Sequence, residues 1–270
     1  MKYIILESRP DRLGSNITMY IAQLLFAHHY KYYIKYTRDT LKYNNSCFVN
    51  TLISVIDVYN SQFVEDPTVC MPFIKGDWAQ QIGGVTQLIQ SDHISAFQLL
   101  SRSNTVISEW DIPFDPLKSI LIHLRLEDVS KLGEYDGRIS SEYYRDAINN
   151  NGDITHKHSA NFPNHQSPLA VSTIQTRINL LQEKYPEREI ILITNPGSSC
   201  NLPYRIIRSP DESYDLFLLS KAEIIVLSRS TFALSSLYFG SHMEVHVPLI
   251  GFLVMFGLST KFDKNNYVYF

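Results

Sequence analysis

At 270 residues, with 44% apolar and 19% charged side chains, the chain has the composition of an ordinary soluble globular protein, and intrinsic disorder is excluded. A net charge of −3 carries no sign of a nucleic-acid partner. Cys47, Cys70 and Cys200 are odd in number and lack metal-ligand spacing, which fits a reducing compartment, and no run reaches the roughly 20 apolar residues of a membrane span, so a cytoplasmic protein is expected.

Residues 2–6 read as a first strand. Residues 7–16 form a turn-rich loop, and 17–28 carry apolar positions at helical spacing. Residues 30–36 then read as a second strand, which makes a βαβ opening. The loop holds Asp11, Arg12, Gly14 and Asn16 in front of a helix N-terminus, a place that attracts anions. The plainer alternative is that Ser15 or Asn16 caps the helix.

The segment 40–116 is less regular. Residues 51–59 read as a strand, 77–88 and 95–100 as short helices, and 105–109 as another short strand. Two prolines, Pro113 and Pro116, mark the link into the second half, so domains are expected at 1–115 and 116–270.

The second half opens on Ile120, Leu121 and Ile122, a buried-strand run that gives way to His123, Arg125, Glu127 and Asp128. Alternation places His123, Arg125 and Glu127 on one side for as long as the strand lasts. A guanidinium at a strand's carboxyl end can grip two phosphate oxygens. The alternative is a surface pair of Arg125 with Glu127 or Asp128. Residues 140–150 read as a helix, and 151–167 as a loop holding His156, His158 and His165. These histidines lack helical-pair spacing and a neighbouring carboxylate or cysteine, so no metal site is expected from them.

Residues 167–185 read as a long helix with Ile174, Ile178, Leu180 and Leu181 inward. Strands follow at 189–194, 204–208 and 223–227, with a helix at 211–219 whose first turn is acidic. Thr194 and Asn195 stand at the end of one of these strands, where a base or ribose is read in open α/β sheets. The last strand runs into Ser228, Arg229, Ser230 and Thr231 before a helix over 232–239. Such a hydroxyl-rich turn suits a diphosphate, while capping by Ser230 or Thr231 needs no ligand; both can hold together. The aromatic tail 267–270 is expected either to pack back on the N-terminal half or to hang free.

Three of these stretches together resemble the fucosyltransferase-like glycosyltransferases of GT-B type, which include α-1,2-, α-1,6- and protein O-fucosyltransferases. Arg12-Leu-Gly-Ser-Asn16 resembles that family's Gly-Arg-Leu-Gly-Asn-Gln loop. His123-Leu-Arg125-Leu-Glu-Asp128 resembles its His-x-Arg-x-Gly-Asp motif. Asp215 through Ser220, continued by Ser228-Arg-Ser-Thr-Phe232, resembles its Asp-x-x-x-(Leu/Met)-x-Ser…Ser-x-Ser-(Ser/Thr)-Phe block. The chain departs from the pattern at Ser15, Ile17 and Glu127, and Thr194-Asn195 stand where the family places an acidic nucleotide contact.

The resemblance implies two Rossmann-like domains with a cleft between them and an inverting transfer of a sugar, foremost L-fucose from GDP-fucose, to a glycan hydroxyl. It implies that Arg125 binds the donor's β-phosphate with His123 nearby, that Ser228, Ser230 and Thr231 hold phosphates, and that Arg12, Gly14, Asn16 and Asp215 belong to the donor or acceptor site. A fixed guanidinium and backbone amides stabilise a leaving diphosphate without a metal. A base for the acceptor hydroxyl is sought among Asp11, Glu7, Glu127 and Asp128. Another UDP- or GDP-linked pentose or hexose is the alternative donor. A non-catalytic nucleotide- or carbohydrate-binding module is the rival class, and a zinc hydrolase using His156, His158 and His165 ranks last.

Overall fold

The computed structural model describes residues 1–9, 12–71, 93–101, 110–126, 169–198, 200–248 and 266–270. They form an α/β fold with two all-parallel sheets flanked by helices, Rossmann-like in character. The chain divides into two compact units, Met1–Glu109 and Trp110–Phe270. Among the described residues, no helix is long and apolar enough to cross a membrane.

In the first unit, β1 (Lys2–Ile5) leads into α1 (Leu13–Tyr30), β2 (Tyr33–Lys35), α2 (Cys47–Asn60), β3 (Val69–Cys70) and α3 (His93–Leu100). The strands lie in the order β2-β1-β3. Ile4 and Ile34 are fully buried on one face, whereas Ile5 and Lys35 on the other are exposed. Helix α1 begins four residues before the periodic apolar run, so Gly14, Ser15 and Asn16 belong to its first turn and not to the preceding loop. It ends at Lys31, whose φ of 56° is left-handed and lets the Tyr32 N–H reach Ala27 O at 2.9 Å. Tyr30 is thus the last helical residue, and the second strand is shorter than its aromatic run.

The strand expected over 51–59 is helix α2. Its β-branched residues favour a strand locally, but Phe48, Val49, Leu52, Val55, Ile56 and Tyr59 are buried while Ser54, Asp57 and Val58 are exposed, a helical period. Packing of that stripe decides the outcome. At its end, Asn60 accepts from Ile34 N at 3.0 Å and donates to Ile34 O at 2.8 Å, closing the free edge of β2 as a further strand would. The expected helix at 77–88 and strand at 105–109 lie outside the described residues.

The second unit holds β4 (Ser119–His123), α4 (Val171–Lys184), β5 (Glu189–Ile193), β6 (Arg205–Ile207), α5 (Glu212–Lys221), β7 (Ile224–Val226), α6 (Thr231–Phe239), β8 (Glu244–Val247) and β9 (Tyr267–Tyr269). Their order is β6-β5-β4-β7-β8-β9. Ile120, Ile122, Ile190, Leu192, Ile224 and Val226 share one face with Ile174, Ile178 and Leu181 of α4. Leu121, Ile191 and Ile225 are fully buried too, so both faces are covered, which explains the unbroken apolar runs. Leu180, expected inward, is 49% exposed: it falls outside the stripe through Ile174, Ile178 and Leu181.

The aromatic tail does not hang free. It is β9, paired in parallel with β8. The start of β8 is locked to α4 by charge. Glu244 accepts from Lys184 Nζ at 2.5 Å and Tyr185 Oη at 2.6 Å, and its other oxygen lies 2.6 Å from His246 Nε2. Burial pushes the Glu244 carboxyl up, but these hydrogen bonds outweigh it and hold the pKa at about 2. The Arg177 guanidinium stacks 4.4 Å from the ring centroid of Phe270, tying the tail to the same helix.

Candidate functional site

The strand order of the second unit fixes where a site can form. From β4 the chain steps to β5 and β6 on one side, then returns to β7 on the other side of β4. The connections leaving β4 and β7 therefore diverge, and a crevice opens outside their carboxyl ends. His123 is the last residue of β4, and Ser228 follows β7 by two residues. Across the switch point His123 Nδ1 and Ser228 Oγ lie 2.6 Å apart, both buried.

Beside this contact, Arg125 Nη1 donates to Arg229 O at 3.1 Å. The strand ends at His123, so Arg125 lies beyond its alternation, although Leu124 N still bonds Ile193 O at 2.8 Å. The His123 ring lies 5.4 Å from that of Phe232 in the first turn of α6. His123, Arg125, Ser228 and Arg229, with Leu124, Leu126, Leu169 and Ile174, line a cavity of about 10 Å³ among the described residues, room for about one water. The buried Arg229 is a member that pattern reading missed. Its one signal is a basic residue inside a hydroxyl-rich turn.

The hydroxyls of this turn have separate tasks. Ser230 is the N-cap of α6, its Oγ accepting from Phe232 N at 3.1 Å. Thr231 is the first helical residue and its carbonyl accepts from Ser235 Oγ at 2.7 Å. At the neighbouring strand end, Thr194 Oγ1 and Ser198 Oγ are buried without a hydrogen-bond partner among the described residues. Asn195 is half-buried, and its carbonyl accepts from Ser198 N at 3.1 Å. The β5 turn therefore offers two buried hydroxyls with unused hydrogen-bonding capacity.

Asp215 lies on α5, which packs against α6, and is only 6% exposed. Its Oδ1 has no partner among the described residues. Burial, reinforced by Asp211 and Glu212, raises its pKa to about 7. No hydrogen bond joins it to His123, Arg125 or Ser228 among the described residues.

The first-unit candidates are placed differently. Arg12 occupies the N-cap position of α1 without a side-chain cap bond, and is exposed. Neither Ser15 nor Asn16 caps this helix. Gly14 is buried, and its carbonyl accepts from Thr18 Oγ1 at 2.8 Å. Asn16 is fully buried: Oδ1 accepts from Arg9 N at 2.8 Å and Nδ2 donates to Arg12 O at 3.1 Å, pinning the loop ahead of the helix. Gln23, which sequence reasoning missed, does the same one turn further in, pairing with the N–H and carbonyl of Glu7 at 2.9 and 3.0 Å. Asp11, Glu127, Asp128, His156, His158 and His165 lie outside the described residues. Among the described residues, no group of three or more His, Cys, Asp or Glu is placed to hold a metal ion.

On the exposed face of the first unit's sheet is an open hollow of about 780 Å³, lined by Tyr3, Ile5, Tyr33, Lys35, Tyr36, Thr37, Asp57 and Asp66 among others. Lys35 Nζ sits 4.0 Å from the Tyr3 ring centroid and donates to Pro67 O at 3.1 Å. Tyrosine faces, a lysine and carboxylates thus share one concave surface.

Comparison of the chain with protein-family models, with curated proteins and with solved structures returned no match.

Proposed function

We propose that the second unit binds a sugar nucleotide at the β4/β7 switch point and that the protein is an inverting glycosyltransferase, with GDP-fucose the first donor to test. The carrying observation is the meeting of His123 and Ser228 at 2.6 Å across the switch point, with Arg125 bonded to the same β7 turn. An anionic ligand is favoured there by a strand-end crevice, a guanidinium and the capped N-terminus of α6.

The chemistry of transfer asks for this set of groups. As the anomeric C–O bond breaks, negative charge grows on the leaving diphosphate. A guanidinium fixed beforehand stabilises that charge without reorganising during the reaction. Thr194 and Ser198 are the candidates for contacting ribose or base, because their buried hydroxyls have hydrogen bonds still to make. The hollow of the first unit supports the acceptor role, since tyrosine faces suit sugar C–H surfaces and carboxylates suit hydroxyls. In this proposal the chain is a GT-B-like enzyme with an acceptor-side half over 1–115 and a donor-side half over 116–270.

The test is release of GDP from GDP-fucose in the presence of oligosaccharide acceptors, with other GDP- and UDP-sugars in parallel. Turnover by the wild type, lost in a folded Arg125→Ala variant, supports the transferase. Absence of turnover with every donor, while glycan binding survives Arg125→Ala, favours a non-catalytic carbohydrate-binding module.

A further inference from the structure

We infer that Ser228 is the positioning residue of His123: its hydroxyl donates to Nδ1 and thereby fixes the imidazole proton on Nε2. The argument is one of hydrogen-bond accounting. A hydroxyl carries one proton and a neutral imidazole one N–H, so the 2.6 Å contact between Ser228 Oγ and His123 Nδ1 can be made in two senses. Ser228 is 5% exposed and His123 6%, so neither proton is left to bulk water without cost.

Were Nδ1 to donate, in either the neutral or the doubly protonated ring, the Ser228 proton would need a second acceptor. Among the described residues, the Oγ has His123 Nδ1 as its hydrogen-bond partner and no other. The sense that satisfies the Ser228 proton has Ser228 donating and Nδ1 accepting. The ring is then neutral with its proton on Nε2, and its orientation is further held by Phe232 at 5.4 Å between ring centroids.

A consequence follows that rests on the transferase proposal. With the proton on Nε2, His123 presents a hydrogen-bond donor on that side of the ring and cannot accept a proton there. It therefore suits the anionic diphosphate, and the base for the acceptor hydroxyl must be another group. Ser228 then acts on the donor through His123, and not as a phosphate ligand.

The tautomer is read directly by nitrogen-15 NMR of the histidine side chains, with the His123 signals identified by their loss in His123→Gln. The expected result is an unprotonated, acceptor-type Nδ1 and a protonated Nε2 in the wild type. Ser228→Thr, which keeps the hydroxyl, should preserve this pattern, and Ser228→Ala should replace it by averaged signals of both tautomers. A protonated Nδ1 in the wild type overturns the inference, as does a pattern unmoved by Ser228→Ala. If Ser228→Ala does not fold, the wild-type spectrum alone decides. Turnover of the sugar nucleotide should fall about tenfold in Ser228→Ala and recover in Ser228→Thr, the loss of one neutral hydrogen bond. Since the spectrum needs no substrate, absence of turnover in every variant would sink the transferase proposal and leave the tautomer assignment standing.

Discussion

Two strand-to-helix junctions, one in each unit, treat the same kind of polar side chain in opposite ways. At the β1–α1 junction, Asn16 and Gln23 are fully buried and turn their amides back on the loop that carries them, bonding Arg9, Arg12 and Glu7. At the β7–α6 junction, Ser228 reaches across to His123 on another strand, and the Arg229 carbonyl receives Arg125. The first arrangement stitches one loop to its own helix. The second joins two strand ends at the point where their connections part, which is where α/β sheets hold ligands. Polar residues in a strand-end loop are thus no guide to binding until their partners are known. What separates the junctions is whether those partners belong to the same loop or to a neighbouring strand.

If the comparison is right, substitutions at the two junctions have opposite signatures. Arg125→Ala should lower turnover by about a hundredfold or more, the scale of losing one charge-stabilising group, while stability falls by no more than about 1 kcal/mol, the net worth of one hydrogen bond. Steady-state kinetics and a melting curve on the same preparation check both halves of that expectation.

Asp215, on the helix packed against α6, sharpens the picture through pH. The carboxyl titrates near 3.8 when unfolded and at about 7 when folded, because burial disfavours its charge. The raised value means that stability is fully present below 3.8, falls as pH rises toward 7, and stays low above it. Asp215→Asn removes this titration. It should stabilise the protein by on the order of 4 kcal/mol at pH 8, at ~1.4 kcal/mol per pH unit of displacement, and change little at pH 4. Denaturant unfolding at the two pH values measures this, and equal effects at both would show that folding does not raise the Asp215 pKa.

Asn16→Ala should act as the mirror image of Arg125→Ala. It removes the side-chain acceptor of Arg9 N and the side-chain donor to Arg12 O, a cost of about 1–3 kcal/mol, and nucleotide affinity should not change. Loss of affinity with stability intact would reverse the assignment of this junction. The smallest effect belongs to Ser230→Ala, which removes the cap of α6 and should cost about 1 kcal/mol in chemical denaturation.

Continuous apolar runs made β4, β5 and β7 legible, since a strand buried on both faces has no alternation to hide. The same composition misled at α2, where β-branched residues looked like a strand although their burial follows a helical period. The tail was illegible for another reason: Tyr267–Tyr269 becomes a strand by pairing with β8, a long-range event that local pattern does not carry. At the switch point, His123, Arg125 and Ser228 could be picked out because they stand at or just past the ends of apolar strands. The inward turn of Asn16 could not. An amide at a helix start serves a loop or a ligand with equal chemistry, and only the loop's path decides.

The central claim, a nucleotide diphosphate site at the β4/β7 switch point, is tested most directly by thermal unfolding with GDP and UDP, wild type beside Arg125→Ala. A ligand at a hundred times its Kd stabilises the folded state by about 2.7 kcal/mol, several degrees in Tm for a chain of this size. The account expects such a rise with one nucleotide in the wild type and its loss in Arg125→Ala. A rise of equal size in both proteins would place the ligand elsewhere, and no rise with either nucleotide would contradict the claim outright.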